Sequence, residues 1–182
     1  MNLQKCASRL LASMILIVGI SAYARAAEDP IQPETAYRLR LFHTHTNERI
    51  DVVYRVDENY VPSAIDRLDH FLRDHRTGDV IQLDRRVFDL LHDLTAAVGK
   101  PDAEIDIVCG YRTPWSNDFL RRTTPGVAEH SLHMQGEAID IRMPGVSTSK
   151  LRNVALTLHR GGVGFYPESR FVHVDVGRIR KW

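Results

Sequence analysis

Cysteine is scarce in this chain. Only Cys6 and Cys109 occur in 182 residues, and Cys6 lies in an amino-terminal segment that reads as a removable leader. A mature domain with Cys109 alone cannot close an internal disulfide, so a hydrophobic core, or a core and a metal, must hold it. Long apolar runs are missing too. The longest, Leu10 to Ile20, spans 11 residues, short of the roughly 20 a membrane-crossing helix needs. No long basic stripe is present, which gives no footing for a nucleic-acid partner. Neither a Gly-x-Gly-x-x-Gly nor a Gly-x4-Gly-Lys-Ser/Thr segment occurs, so no phosphate cradle is indicated. Gly161-Gly162-Val163-Gly164 has no following lysine and reads as a tight helix-to-strand turn. Ser131 lacks the strand-to-helix elbow of a serine hydrolase, and Cys109, at the end of an apolar strand, reads as a small hydrophobe.

The composition that remains is globular, with 43% hydrophobic and 26% charged residues. Lys5 and Arg9 precede the apolar run, and Ala22-Tyr23-Ala24-Arg25-Ala26 offers small residues at cleavage spacing. Residues 1–26 are therefore expected to be a secretory signal and 27–36 an extended lead-in with Pro30 and Pro33. Removing Lys5, Arg9 and Arg25 from 24 basic residues leaves 21 against 23 acidic, a formal charge of −2. After signal removal no integral membrane segment is expected, and residues 37–182 read as a single domain.

Within that domain Tyr37, Leu39 and Leu41 alternate with polar positions, and Ile50 to Val56 is rich in β-branched residues. With Asn47-Glu48 between them, the two runs predict a hairpin. Pro62 opens a helical pattern through Ile65, Leu68 and Leu72, and Asp84 caps a second pattern that ends at Gly99 and Pro101. Ile105, Ile107 and Cys109 form a short strand. A long polar stretch from Gly110 to Gly136 follows, with a short helix over Trp115 to Arg122; so long a loop marks function. Ala138 to Met143 is a strand, Thr148 to Arg160 a helix, and Val163 to Tyr166 with Phe171 to Val176 a terminal strand pair. The expectation is an α+β fold, an antiparallel sheet flanked by helices.

The chemistry concentrates late in the chain. His133 and Asp140 are seven residues apart across Gly136, so a bend into the strand, not a helix face, would converge them. The two-residue period places Asp140 opposite Ile139 and Ile141, and His173 with Asp175 opposite Val172 and Val174, so adjacent strands can present Asp140, His173 and Asp175 together. Two histidines and one aspartate leave a fourth position for water, as a catalytic zinc site requires; iron or manganese could use the same ligands. The competing reading is structural: His133 caps or crosses the loop, Asp140 pairs with Arg142 or Arg112, and His173 is a satisfied strand histidine. Arg112 has the forked guanidinium that suits a substrate carboxylate, or it staples the loop to Asp106, Asp118 or Glu129. His130 could donate to an oxyanion or lie on the loop surface. Tyr111, Trp115 and Tyr166 could line a groove. His43 and His45 invite a second metal site, but no third ligand stands near them, and they read as structural.

The pattern Ser131-x-His133-x6-Asp140, the later strand bearing His173, and the upstream Gly110-Tyr111-Arg112 resemble the zinc peptidases that include the D-alanyl-D-alanine carboxypeptidases and dipeptidases, whose metal scaffold is shared with hedgehog-type domains. The segments Leu41 to Glu48, Leu68 to Arg76, Gly161 to Pro167 and Phe171 to Gly177 resemble more closely the murein endopeptidase branch of the MepK type. The resemblance runs from about Tyr37 to Trp182. It implies Zn2+ held by His133, Asp140 and His173, hydrolysis of murein peptide crosslinks, chiefly the L,D type between diaminopimelates, and a periplasmic or otherwise exported location. It also exposes a departure. The better-known members carry an acidic base three positions before the last histidine, and here that position is Arg170. Asp175 is then expected to orient His173 or to act as the base, with His130 and Arg112 as further catalytic candidates. The missing base also leaves open a noncatalytic, exported wall-binding module that retains zinc as a structural element.

Overall fold

The computed structural model describes residues 35–182; the expected signal and all but the last two residues of the lead-in lie outside them. Strand β1 (Ala36–His43) and strand β2 (Arg49–Val56) pair antiparallel, with Asn47 at φ 59° in the turn. A two-residue β3 (Asn59–Tyr60) extends that edge before α1 (Pro62–Phe71) and α2 (Arg85–Ala97). Proline at the start of α1 and the Asp84 carboxylate accepting from the Arg86 N–H at the start of α2 act as the sequence predicts. Strand β4 (Glu104–Cys109), α3 (Pro114–Thr123), a 3-10 turn over Leu132–Gln135 and β5 (Ala138–Arg142) follow. The chain ends with α4 (Thr148–Leu158), β6 (Gly162–Tyr166), β7 (Phe171–Asp175) and a two-residue β8 (Arg180–Lys181).

All eight strands join one sheet in the order β3-β2-β1-β4-β5-β7-β6-β8. The α+β expectation holds, but the sheet is mixed: β1 runs parallel to β4 and β6 parallel to β8. The chain reaches β4 from β1 through β2 and two helices, a crossover long enough for parallel entry. Composition alone carries no signal for it.

Helices α1, α2 and α4 cover one face of the sheet. There Leu39, Leu41, Ile105, Ile107, Ile139, Ile141, Val172 and Val174 are essentially inaccessible and form the core with Leu68, Leu91 and Leu94. Fully burying one such side chain is worth about 1.5–3 kcal/mol. A one-residue slip of β5 or β7 would turn Ile139 and Ile141, or Val172 and Val174, out of that core. The apolar residues thereby fix which side chains face the other way. Those are Asp140 and His173, directly opposite each other in register. Among the described residues no helix is long and apolar enough to cross a membrane.

Candidate metal centre and its cleft

His133 is delivered by the 3-10 turn, which Ser131 caps by accepting the His133 N–H at 3.4 Å and which Gly136 closes at φ 70°. Asp140 and His173 come from β5 and β7. The three meet closely: His173 Nδ1 lies 2.9 Å from Asp140 Oδ1, His133 Nε2 lies 3.3 Å from the same oxygen, and the two ring nitrogens are 3.1 Å apart. Donor atoms about 2.0–2.1 Å from a tetrahedral zinc stand about 3.3 Å from one another, so these separations match that geometry.

The outer nitrogen of each ring defines what the inner one can do. His133 Nδ1 donates to the Gly110 carbonyl at 2.8 Å, and His173 Nε2 donates to Asp175 Oδ2 at 3.2 Å. Both partners only accept, so both neutral rings keep a lone pair on the nitrogen facing Asp140. Two lone pairs and a carboxylate oxygen within 3.3 Å of one another could hold a cation between them. A proton is the minimal substitute. Burial alone would lower the pKa of His133, but Asp140 and the Cys109 thiol beside it outweigh burial and raise it to about 10. Burial would likewise raise Asp140, yet His133 and His173 hold its carboxyl well below the usual range.

Cys109, across from Asp140 at the end of β4, is nearer than the sequence reading anticipated. Its sulfur, a His133 nitrogen and an Asp140 oxygen all lie within 4.8 Å of one another, so these residues too could chelate a metal. The thiol already sits 3.4 Å from Arg112 Nη2 and 3.6 Å from the Gly110 carbonyl. Burial pushes its pKa up, and His133 and Arg112 more than reverse that.

The loop between β4 and β5 is pinned from beneath. A side chain at Gly110 would meet the Leu72 carbonyl at 2.5 Å, and the adjoining Tyr111 N–H bonds that carbonyl at 2.7 Å. The buried Asp74 carboxylate accepts from the Thr113 N–H and hydroxyl, both at 2.8 Å, and Thr113 caps α3. Asn117 accepts from Arg112 Nη1 at 3.1 Å and donates to the Ala128 and Glu129 carbonyls. Arg112 therefore takes none of the three loop-staple partners considered from sequence. Arg122 pairs with Asp118 and Arg121 with Glu129. Arg112 instead points at the centre, 3.8 Å from Asp140 Oδ2, with a buried Nε that has no hydrogen-bond partner.

A cleft of about 370 Å³ opens over the three residues, lined on one side by Leu120, Thr124 to Ala128 and His130 to His133, and on the other by Tyr166, Phe171, Arg180 and Trp182. His130 is exposed on its wall. Asp175 shares the centre but not the cleft. It is fully buried and receives the Gly162 and Gly177 N–H groups at 2.8 and 2.9 Å, Arg180 at 2.8 Å and His173. Side chains at Gly161 or Gly162 would collide with Asp175 at 2.0 and 2.4 Å. These glycines thus serve close approach to Asp175; the left-handed end of α4 falls on His159 instead. Trp115 does not line the cleft: it is 62% exposed on the outer side of α3, stacked with Phe119. Tyr111 is likewise outside it, whereas Tyr166 is a wall residue. His43 is buried and accepts from the His45 and Thr46 N–H groups, and His45 stacks on His75, so they shape the turn after β1. Sequence reasoning missed Asp74, Asn117, Phe171, Arg180 and Trp182. Only their polarity or aromaticity inside a motif-rich region could have flagged them.

Residues 32–182 match the family described as peptidoglycan L,D-endopeptidase MepK. The chain is 34% identical over 167 residues to a probable peptidoglycan L,D-endopeptidase MepK of Haemophilus influenzae, covering 92% of this chain and 90% of that one. It is 37% identical over 146 residues to peptidoglycan L,D-endopeptidase MepK of Escherichia coli K12, covering 79% of each.

Proposed function

The chain belongs to the peptidoglycan L,D-endopeptidase MepK family, and on that premise we propose that it is an exported, zinc-dependent endopeptidase that hydrolyses peptide crosslinks of bacterial murein, favouring those between two diaminopimelates. The observation that carries the reading is the convergence of His133, Asp140 and His173, with lone pairs aimed at one point on the floor of an open cleft. In this proposal those three hold the ion. A zinc ion there supplies polarisation of the amide carbonyl and acidification of water, without redox chemistry.

The remaining work falls to the chain's own groups. Gly110 O and Asp175 Oδ2 keep the two imidazoles in the ligating tautomer. Arg112, beside Asp140 and lining the cleft, reads a carboxylate of the stem peptide. Asp175 is shut off from the cleft by its donors and acts through His173 as a positioning residue. Proton transfer then falls to His130, the exposed imidazole of the cleft wall, which takes the proton lost by the attacking water and passes it to the departing amine nitrogen. Residues 1–26 direct export to the periplasm or cell wall.

Digestion of purified crosslinked murein by the mature protein, with and without chelator, tests the reading. Mass identification of the released peptides should give stems ending in diaminopimelate, and chelation should abolish them. Unaltered murein in the presence of zinc would refute it.

A further inference from the structure

Trp182 is anomalous for a residue beside the metal centre: a large apolar side chain, 49% exposed, yet held in place by its backbone and its indole N–H. Its backbone joins the sheet through the Trp182 N–H to the Val163 carbonyl at 3.2 Å and the Phe165 N–H to the Trp182 carbonyl at 3.1 Å. The indole N–H donates to Tyr166 Oη at 2.9 Å. The ring lies flat over Gly164, where a Cβ would meet indole carbons at 2.7 and 2.8 Å. Gly164 is the cross-strand partner of His173, and the indole centroid is 5.2 Å from the His173 ring. Tyr166 and Phe171, stacked at 4.5 Å, continue the apolar wall. The Arg180 guanidinium sits 5.0 Å from the indole, and its side chain is 40% exposed.

A fixed, half-exposed ring in a reaction cleft is a surface kept for substrate. Exposing it costs solvation, and the hydrogen bond to Tyr166 and the glycine beneath it keep it from folding away. We propose that the open face of Trp182, continued by Tyr166 and Phe171, is the platform for the aliphatic arm of the substrate residue that supplies the scissile carbonyl, and that it sets the preference for a diaminopimelate over an alanine there. The two residue types differ in one respect the wall can sense. Diaminopimelate carries a run of methylenes ending in a carboxylate and an amine, whereas alanine carries one methyl. The methylenes suit the indole face, and the terminal carboxylate suits Arg180. This inference rests on the endopeptidase reading above and names the determinant of its selectivity.

The test compares two defined murein dimers, one joined through a diaminopimelate carbonyl and the other through a D-alanine carbonyl, with zinc content measured in parallel. Trp182→Ala should lower kcat/KM on the first by about 10-fold or more and leave the second within about 2-fold, the scale at which apolar contacts discriminate. Trp182→Phe, which keeps a ring over Gly164, should retain most of the selectivity and guards against simple misfolding. Equal losses on both dimers, or no loss on the first, would overturn the proposal. A second readout needs no turnover. With Trp115→Phe, Trp182 is the remaining tryptophan of the two, and its emission should shift on adding a stem tripeptide ending in diaminopimelate but not a tetrapeptide ending in D-alanine. Identical responses to both would also refute the platform. If the wild-type protein cuts neither dimer, the endopeptidase reading has failed, and the emission titration alone decides whether the platform exists.

Discussion

Replacing Asp175 by Asn probes the tautomer argument most directly, because it keeps size and shape and removes only charge and one acceptor. In the native arrangement Oδ1 takes the Gly162 and Gly177 N–H groups, while Oδ2 faces His173 Nε2 at 3.2 Å and Arg180 Nη2 at 2.8 Å. The Asn oxygen can still serve the two backbone donors. Its NH2 group must then face two further donors. His173 can escape by moving its proton to Nδ1, but that fills the lone pair aimed at Asp140. Metal affinity should therefore fall by about 10- to 100-fold, the usual cost of losing the partner that orients a ligating imidazole. At 1.4 kcal/mol per tenfold this is about 1.4–2.8 kcal/mol. A buried donor left unsatisfied should also cost about 1–3 kcal/mol of stability in the metal-free protein. Zinc affinity by chelator competition, urea melts in chelator, and turnover at saturating zinc separate these effects. Near-normal turnover once zinc is restored is the expected result. Undiminished zinc affinity with turnover lowered by more than about 100-fold would refute the reasoning and make Asp175 the base.

Other outcomes follow from the same geometry. Single replacement of His133, Asp140 or His173 by Ala should each strip most bound zinc from the purified protein, and full occupancy in all three would exclude this ligand set. His130→Ala should slow turnover by about 100-fold or more with zinc content unchanged; an unaltered rate would send proton transfer to a water chain. Arg112→Lys keeps charge but loses the fork, so turnover of an acidic stem peptide should fall far more than that of its amidated analogue, and equal losses would mark a purely structural role. Asp74 is held below its ordinary 3.8: burial pushes it up, but Ser116, Thr113 and the Arg76 N–H outweigh burial. A depressed carboxyl stabilises the fold above its unfolded pKa and loses that contribution as pH falls through the folded value. Asp74→Asn should thus cost about 1–3 kcal/mol at pH 7, and the gap from the wild type should close only below about pH 3.8 in urea titrations.

How much of this was legible in the sequence depends on the range of the interaction. The hairpin, the capped α2 and the inward faces of β5 and β7 were readable because period-2 alternation and Asp84 act over a few residues. The convergence of His133 with Asp140 was readable as a bend at Gly136, and that glycine is left-handed at φ 70°. The parallel entry of β4 was not, since strand order is set by packing across the whole chain. Nor was the state of Asp175. The period places it with His173, but its burial depends on Gly161, Gly162 and Arg180 closing around it, and only the close approach of β6 reveals that. Trp182 was overlooked for the same reason: it becomes a cleft wall only because β8 pairs parallel to β6.

The departure at position 170 also has a structural cause. Arg170 occupies the turn between β6 and β7 at φ 55°, where its own carbonyl and that of Ser169 are taken by the Arg142 guanidinium, each at 3.0 Å. Its side chain lines a separate groove with Asp106, Arg142, Met143 and Leu151, away from the cleft over His133. An acidic residue placed at 170 on this backbone would therefore face that groove and not the reacting bond, so restoring the acid alone would not restore a base. The turn that turns position 170 away also starts the strand that carries His173 and its support Asp175. On the reading proposed above, the Asp175 carboxylate serves to orient His173, and the proton acceptor would come from the opposite wall, where the loop ending at His133 exposes His130.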